Sequence, residues 1–167
     1  MARRHVAGSR YRRAMAIPQR FTLVTLGVAD VAAATAFYRR LGWRQSTHSV
    51  EGTTFFSTPG PIIALWSTGE LAVDAGLASA ADASAPAPAF RSVALAINFD
   101  TRAEVDTALD DWAAAGGAVT KPAAETEWGG YSGYGADLDG NLWEFAHNPF
   151  WPLDERGMPH LDGGEVE

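Results

Sequence analysis

The sequence predicts an α+β fold in which one βαβββ module occurs twice. Each half of the chain contains a β-branched apolar segment, then an amphipathic segment, then three short apolar segments. Aligning Leu23 with Ser92 superimposes the two halves at an offset of 69 residues. Each amphipathic segment carries a single apolar stripe, so each helix is expected to cover only one face of its own sheet.

The first module is predicted over residues 20–67. Its first strand covers the β-branched segment 21–28, and Asp30 follows at a helix N-cap position. The helix keeps its apolar stripe until Gly42 supplies a left-handed stop. Three short strands are then predicted near 43–48, 52–57 and 61–67.

The second module is predicted over residues 90–152, after an Ala-, Ser- and Pro-rich linker at 68–89. The linker is expected to hold one helical turn around Leu71–Leu77. Thr101 and Glu104 form a T-x-x-E capping box, which predicts the start of the second helix. Strands are predicted near 92–98, 118–122, 130–136 and 141–147.

The two ends of the chain differ in charge and are both set apart from the fold. Residues 1–19 hold five of the 13 basic side chains and no acidic one. We expect a disordered basic leader there, with Met15 as a candidate true start, and a basic interaction arm is the alternative. Residues 153–167 are acidic and Gly-rich, and we expect a flexible tail.

Charge and composition exclude several classes of partner. From residue 15 onward the chain carries 8 basic and 20 acidic side chains, which disfavours nucleic acid binding. No apolar run reaches the roughly 18 residues that a membrane helix needs, so no membrane partner is expected. The absence of cysteine excludes disulfides and thiolate metal sites and fits a cytoplasmic protein.

Strand alternation gives each sheet one bulky face and one small, polar or mixed face. The second face is predicted to carry Leu23, Thr25, Ala64, Trp66, Ser92, Ala94, Asn98 and Glu144. Exposed sheet faces normally carry several charges, yet Glu144 is the single charge on this one. We therefore expect a curved, partly enclosed cavity, with a solvated sheet face as the alternative. Aromatic residues predicted near its mouth are Trp66, Trp128, Tyr131 and Tyr134.

Four sequence motifs resemble the vicinal oxygen chelate superfamily, which includes glyoxalase I, the bleomycin-resistance proteins and extradiol dioxygenases. GVADV at 27–31 and AFYRRLG at 36–42 resemble the first-module signature of that superfamily. WGGYSGY at 128–134 and DLDGNLWEF at 137–145 resemble its closing hairpin. The resemblance covers roughly residues 20–152. It implies an open eight-stranded barrel or cup with helices on the outside, and a homodimer.

The enzymes of that superfamily hold a divalent metal on four side chains, typically His, Glu or Gln, from the first and fourth strands of each module. The corresponding positions here are Leu23, Ala64, Ser92 and Glu144. Only Glu144 keeps an expected residue, and a single carboxylate cannot hold a catalytic divalent ion. We therefore predict no metal and no other cofactor, with a divalent metal as the alternative.

The residues leave three functions open. The first is a metal-free protein that binds or sequesters a small cationic or aromatic molecule, with Tyr134 and the other named residues as ligand contacts. The second is a glyoxalase-type lyase, isomerase or dioxygenase that uses a displaced metal, or uses Glu144 as a general base. The third is a structural or partner-binding dimer.

Overall fold

The computed structural model describes residues 21–76 and 93–159. The predicted leader, most of the linker and the last part of the tail lie outside these ranges. The described helices are α1 (Val31–Arg40), α2 (Thr68–Asp74) and α3 (Arg102–Ala114). The described strands are β1 (Leu23–Val28), β2 (Thr53–Phe56), β3 (Ile62–Ser67), β4 (Ala94–Asn98), β5 (Ala118–Glu125), β6 (Tyr131–Ala136) and β7 (Leu142–His147).

The strands form two open sheets, one in each module. The first has the order β1-β3-β2 and the second the order β4-β7-β6-β5. In each sheet the first strand of the module pairs in parallel with the last one, and the remaining pairs are antiparallel. This confirms the α+β fold and the duplicated module, although the sheets stay open within the described residues.

The strand predicted near 43–48 does not form, so the described first sheet has three strands rather than four. Only an isolated bridge joins Gln45 to Phe56. Beyond it, the Ser46 hydroxyl accepts a hydrogen bond from the His48 amide at 3.2 Å, and the Ser46 carbonyl accepts one from the Ser49 amide at 3.1 Å. These local bonds turn the chain before a ladder can extend.

The helix starts follow the predicted caps. The Asp30 side chain accepts a hydrogen bond from the Ala33 amide at 2.9 Å, and Thr101 and Glu104 form both halves of the capping box. Helix α2 begins directly after β3, three residues before the predicted turn at Leu71–Leu77. No helix in the described residues is long and apolar enough to span a membrane.

One aromatic core joins the two modules. Phe37 on α1 and Trp112 on α3 meet edge to face, with ring centroids 4.9 Å apart. Tyr38 lies 6.1 Å from Trp143 on β7, and all four side chains are buried. The helix-side faces of both sheets therefore point into a shared interior, and their other faces point away from it.

A buried hydrogen-bonded cluster connects α1 to the β6–β7 turn. The Tyr38 hydroxyl donates to the Asp137 carboxylate at 2.8 Å and accepts from the Trp143 indole at 3.1 Å. Burial and the adjacent Asp137 charge raise the pKa of Tyr38, so the phenol keeps its proton. In the same turn Asp139 accepts a hydrogen bond from the Ala29 amide at 2.7 Å. The second module is thus fixed to the first by directional bonds as well as by packing.

Candidate functional site

Glu144 lies in the middle of the second sheet, on the face away from the shared core. Directly opposite it are Ala96 on β4 and Tyr134 on β6. Ala94 and Ala96 are exposed, whereas Glu144 and Tyr134 are partly buried. This face therefore has small side chains on β4, with one carboxylate and one phenol beside them.

Tyr134 and Glu144 are paired directly across β6 and β7. Burial, a side-chain hydrogen bond to Glu144 and the charge of Glu144 raise the pKa of Tyr134. A protonated phenol is a hydrogen-bond donor and a carboxylate is an acceptor, so the two paired side chains are chemically complementary. The carboxylate on this face can accept a hydrogen bond, or a proton, from a bound molecule.

Lys121 on β5 continues the row of paired residues that crosses the second sheet through Ala96, Glu144 and Tyr134. It is paired with Tyr134 in the sheet register, and its Nζ atom lies 5.6 Å from the centre of the Tyr134 ring. The sequence interpretation did not include Lys121 in the site. Lys121 is the only lysine in the 167 residues, but that count does not indicate the face on which it lies.

The corresponding face of the first sheet is mostly apolar. Thr25 pairs with Ala64, which is 2% exposed, and Leu23 remains 42% exposed at the end of β1. The Trp66 indole donates to Glu70 on α2 at 2.9 Å, so this ring is tied to the short helix. Leu23, Thr25, Ala64 and Trp66 therefore share the predicted face of the first sheet.

Tyr131 lies on the opposite face of β6 from Tyr134, so the structure does not bring it together with Glu144. Three positions separate the two residues along β6, and an odd separation reverses the side-chain direction. The Tyr131 hydroxyl donates to Asp106 on α3 at 2.8 Å, and Arg102 lies over its ring. Tyr131 thus belongs to the helix side of the sheet.

The remaining predicted residues fall in three places. Asn98 is partly buried at the end of β4, on the face of Glu144. Trp128 lies in the turn between β5 and β6, 47% exposed, with its ring against Gly130. Ser92 lies outside the described residues.

The helix caps correct the module alignment that placed Ser92 at the position of a superfamily metal ligand. Asp30 and Thr101 cap the equivalent helices, and the residues seven positions before them are Leu23 and Ala94. The register agrees, because Ala64 pairs with Thr25 and Glu144 with Ala96. The four positions that correspond to the metal ligands of the superfamily, called the four superfamily positions below, are therefore Leu23, Ala64, Ala94 and Glu144.

These four residues do not fit a divalent metal. Leucine and alanine side chains have no lone pair to donate, which leaves one carboxylate. Across residues 21–76 and 93–159, no group of three or more His, Asp or Glu side chains is placed to hold a metal ion. The donor set thus disagrees with the metal centre that the resemblance implies.

The face of the second sheet that carries Glu144 and points away from the shared core is called the Glu144 face. In a single chain this face is open rather than partly enclosed. A surface cavity of about 720 Å³ lies instead between α1 and the segment 45–54, where Thr35, Arg39 and Thr54 contribute to its lining. A second, of about 620 Å³, is lined by Arg39 and residues 42–47. Neither cavity includes a residue of the Glu144 face.

Comparison with known proteins gives the family of the chain. A family model described as the Glyoxalase/Bleomycin resistance protein/Dioxygenase superfamily matches residues 20–145. The search of curated proteins found no match. Among solved structures, a glyoxalase-related enzyme from Fulvimarina pelagi shares 32% identity over 86% of this chain and 99% of its own, with a TM-score of 0.74.

Two other solved structures are similar over most of their length. A glyoxalase/bleomycin resistance protein/dioxygenase from Nocardioides shares 25% identity over 92% of this chain and 91% of its own, with a TM-score of 0.65. Lactoylglutathione lyase from Agrobacterium tumefaciens shares 22% identity over 83% of this chain and 100% of its own, with a TM-score of 0.58, which shows likeness of fold alone. The chain belongs to the glyoxalase/bleomycin resistance protein/dioxygenase superfamily.

Proposed function

We propose that the protein binds a small organic molecule on the Glu144 face without a divalent metal. The observation that carries the proposal is the set of side chains at the four superfamily positions, of which three are aliphatic. Such a set favours apolar contact and one hydrogen bond over coordination of an ion. Sequestration of the ligand, as by the bleomycin-resistance proteins, is the function this supports best.

The surroundings of Glu144 favour an aromatic or cationic ligand. Ala94 and Ala96 leave open space above β4, where a flat ring has room to lie. The acidic balance of the body from residue 15 onward, with 20 acidic and 8 basic side chains, attracts cations at long range.

A second copy of the chain is proposed to cover this face. Ligand sites usually bury most of the surface of a small molecule, and one chain leaves this face open. Leu23 and Ile62 on the equivalent face of the first sheet are 42% and 39% exposed, which supplies apolar surface for a symmetric contact. Sedimentation equilibrium should report the mass of two chains, and a monomer at every concentration would count against this arrangement.

Filling the open space above β4 with a bulky side chain should remove ligand binding. We expect Ala96→Phe to weaken any hit from a thermal-shift library of aromatic and cationic molecules by at least about tenfold, because the new ring occupies the space above Glu144. Ala113→Phe, on an exposed position of α3, is the matched control and should bind as the wild type does. Calorimetry measures both affinities, and equal binding by Ala96→Phe would contradict the proposal.

The alternative function is catalysis by a glyoxalase-type lyase, isomerase or dioxygenase. The position of Glu144 beside Tyr134 favours it, because a partly buried carboxylate on the candidate ligand face is suited to accept a proton from a substrate. Glu144→Gln keeps the shape of the side chain and removes the base. If an activity is found, a variant that retains it fully would exclude Glu144 as the base, and Glu51→Gln on an exposed loop is the control.

A further inference from the structure

The chain places its only lysine on the candidate ligand face. The sequence has 13 basic side chains, and all except Lys121 are arginine. Lys121 stands beside Tyr134 and Glu144 in one row across β5, β6 and β7. Lysine differs from arginine in presenting a compact, strongly hydrated point charge on a flexible stem.

Irregularities in β5 turn Lys121 onto this face. Val119 pairs with Gly135, Lys121 with Tyr134 and Ala124 with Ser132, so β5 carries one extra residue on each side of Lys121. In a regular strand Lys121 would share the helix-side face of Val119, because two positions separate them. A β-bulge re-aims a side chain in this way, and bulges are frequent beside functional sites.

Gly133 makes room for the bulged backbone. A methyl group built on Gly133 would lie 2.9 Å from the Lys121 carbonyl oxygen and 2.8 Å from the Ala123 amide nitrogen. Any side chain at this position would push β5 away from β6. The bulge therefore depends on a glycine in the neighbouring strand, and the two together set the direction of Lys121.

The ammonium group of Lys121 remains available to a ligand. The ion pairs in the described residues join Arg102 to Glu125 and Arg156 to Asp154, and none includes Lys121. Its Nζ atom lies over the ring of Tyr134, so a cationic ligand stacked there would meet a like charge. Tyr134 stands between Lys121 and Glu144 in the register of β5, β6 and β7. An anionic group is thus the best complement at the β5 end of the row.

We propose that Lys121 is an anion-binding residue of this site and that the ligand is an aromatic molecule carrying a carboxylate or phosphate group. The aromatic part lies over the open β4 end of the row, near Ala96, and the acidic group reaches Lys121. This inference rests on the proposed ligand-binding function and narrows its ligand class from cationic or aromatic to aromatic acids.

The single lysine allows a direct test on the full-length protein. Reductive methylation with ¹³C-formaldehyde labels Lys121 and the α-amino group only, and the dimethylated lysine keeps its charge. The labelled protein is titrated with 2-naphthoate, 2-naphthyl phosphate and 2-naphthylmethylammonium, which share one ring system. We expect one or both acids to shift the Lys121 methyl signal, and the amine to bind at least about tenfold more weakly.

Two variants separate a binding role from a structural one. Lys121→Gln should weaken binding of the acids at least about tenfold, and Lys121→Arg should restore most of it. Arg102→Gln is the matched control, because Arg102 lies on the other face of the sheet. Its Cζ atom is 5.7 Å from the centre of the Tyr131 ring. Arg102→Gln should leave the affinity for the acids unchanged.

The outcomes distinguish this inference from the proposed function. Equal or tighter binding of the amine, or acid binding that neither moves the Lys121 signal nor responds to Lys121→Gln, would overturn the role of Lys121. If Ala96→Phe still blocks that binding, the proposed function stands. Absence of binding by all three probes at millimolar concentration would count against both.

Discussion

Replacing Trp112 with alanine is expected to lower the free energy of unfolding by about 3–5 kcal/mol, the usual cost of deleting a buried tryptophan side chain. Trp112 is 1% exposed and packs against Phe37 of the first module and Phe145 of the second, with ring centroids 4.9 and 5.2 Å away. Its indole also donates to the Ala136 carbonyl at 3.0 Å. The substitution therefore opens a cavity and removes the indole donor from a partly buried carbonyl.

Urea denaturation of Trp112→Ala measures this loss, and the unfolding should remain a single transition because the ring belongs to a core shared by both modules. Phe150→Ala is the control, since Phe150 is 71% exposed and its removal should cost less than about 1 kcal/mol. A loss as small as that of the control, or separate unfolding of one module, would show that the modules do not share a core.

The second large effect is expected from Asp137→Ala, at about 3 kcal/mol or more, since hydrogen bonds to a charged acceptor contribute about 1.5–3 kcal/mol each. The buried Asp137 carboxylate accepts hydrogen bonds from the Tyr38 hydroxyl at 2.8 Å and from the Asn141 side chain at 2.9 Å. It also accepts from the Asp139 and Asn141 amides at 3.0 and 2.8 Å. Alanine would remove the acceptor of the buried Tyr38 hydroxyl and of the partly buried donors in the turn.

The double variant Tyr38→Phe/Asp137→Ala tests the contact itself. Because the two side chains share one hydrogen bond, their effects on the free energy of unfolding should sum to more than that of the double variant. Asp110→Ala, exposed on α3, should change stability by no more than about 0.5 kcal/mol. Strict additivity of Tyr38→Phe and Asp137→Ala would contradict a connection between the modules through this bond.

The parts of the fold predicted correctly depend on local signals. The capping box at Thr101 specifies the start of α3 within one turn of chain, and the cap at Asp30 does the same for α1. The strand near 43–48 failed because Ser46 captures a backbone amide beside it. Apolar alternation does not report that competition between side-chain and ladder hydrogen bonds.

The faces on which the candidate residues lie were predicted in part from the sequence, and the differences have physical causes. A shift of two residues keeps every side chain on the same face. Alternation alone therefore could not decide whether Ser92 or Ala94 occupies the position that corresponds to a metal ligand. Only the helix caps, 71 residues apart, decide between them. Lys121 was missed because regular alternation places it on the wrong face, and the bulges that turn it depend on pairing with β6.

The metal content of the protein tests the central claim most directly. The wild type and Glu144→Ala are expressed in medium supplemented with zinc, nickel, manganese and iron, purified without chelator and measured by elemental analysis. With one carboxylate among aliphatic side chains at the four superfamily positions, both proteins should hold far less than one ion per chain. One ion per wild-type chain that is lost in Glu144→Ala would contradict a metal-free ligand site.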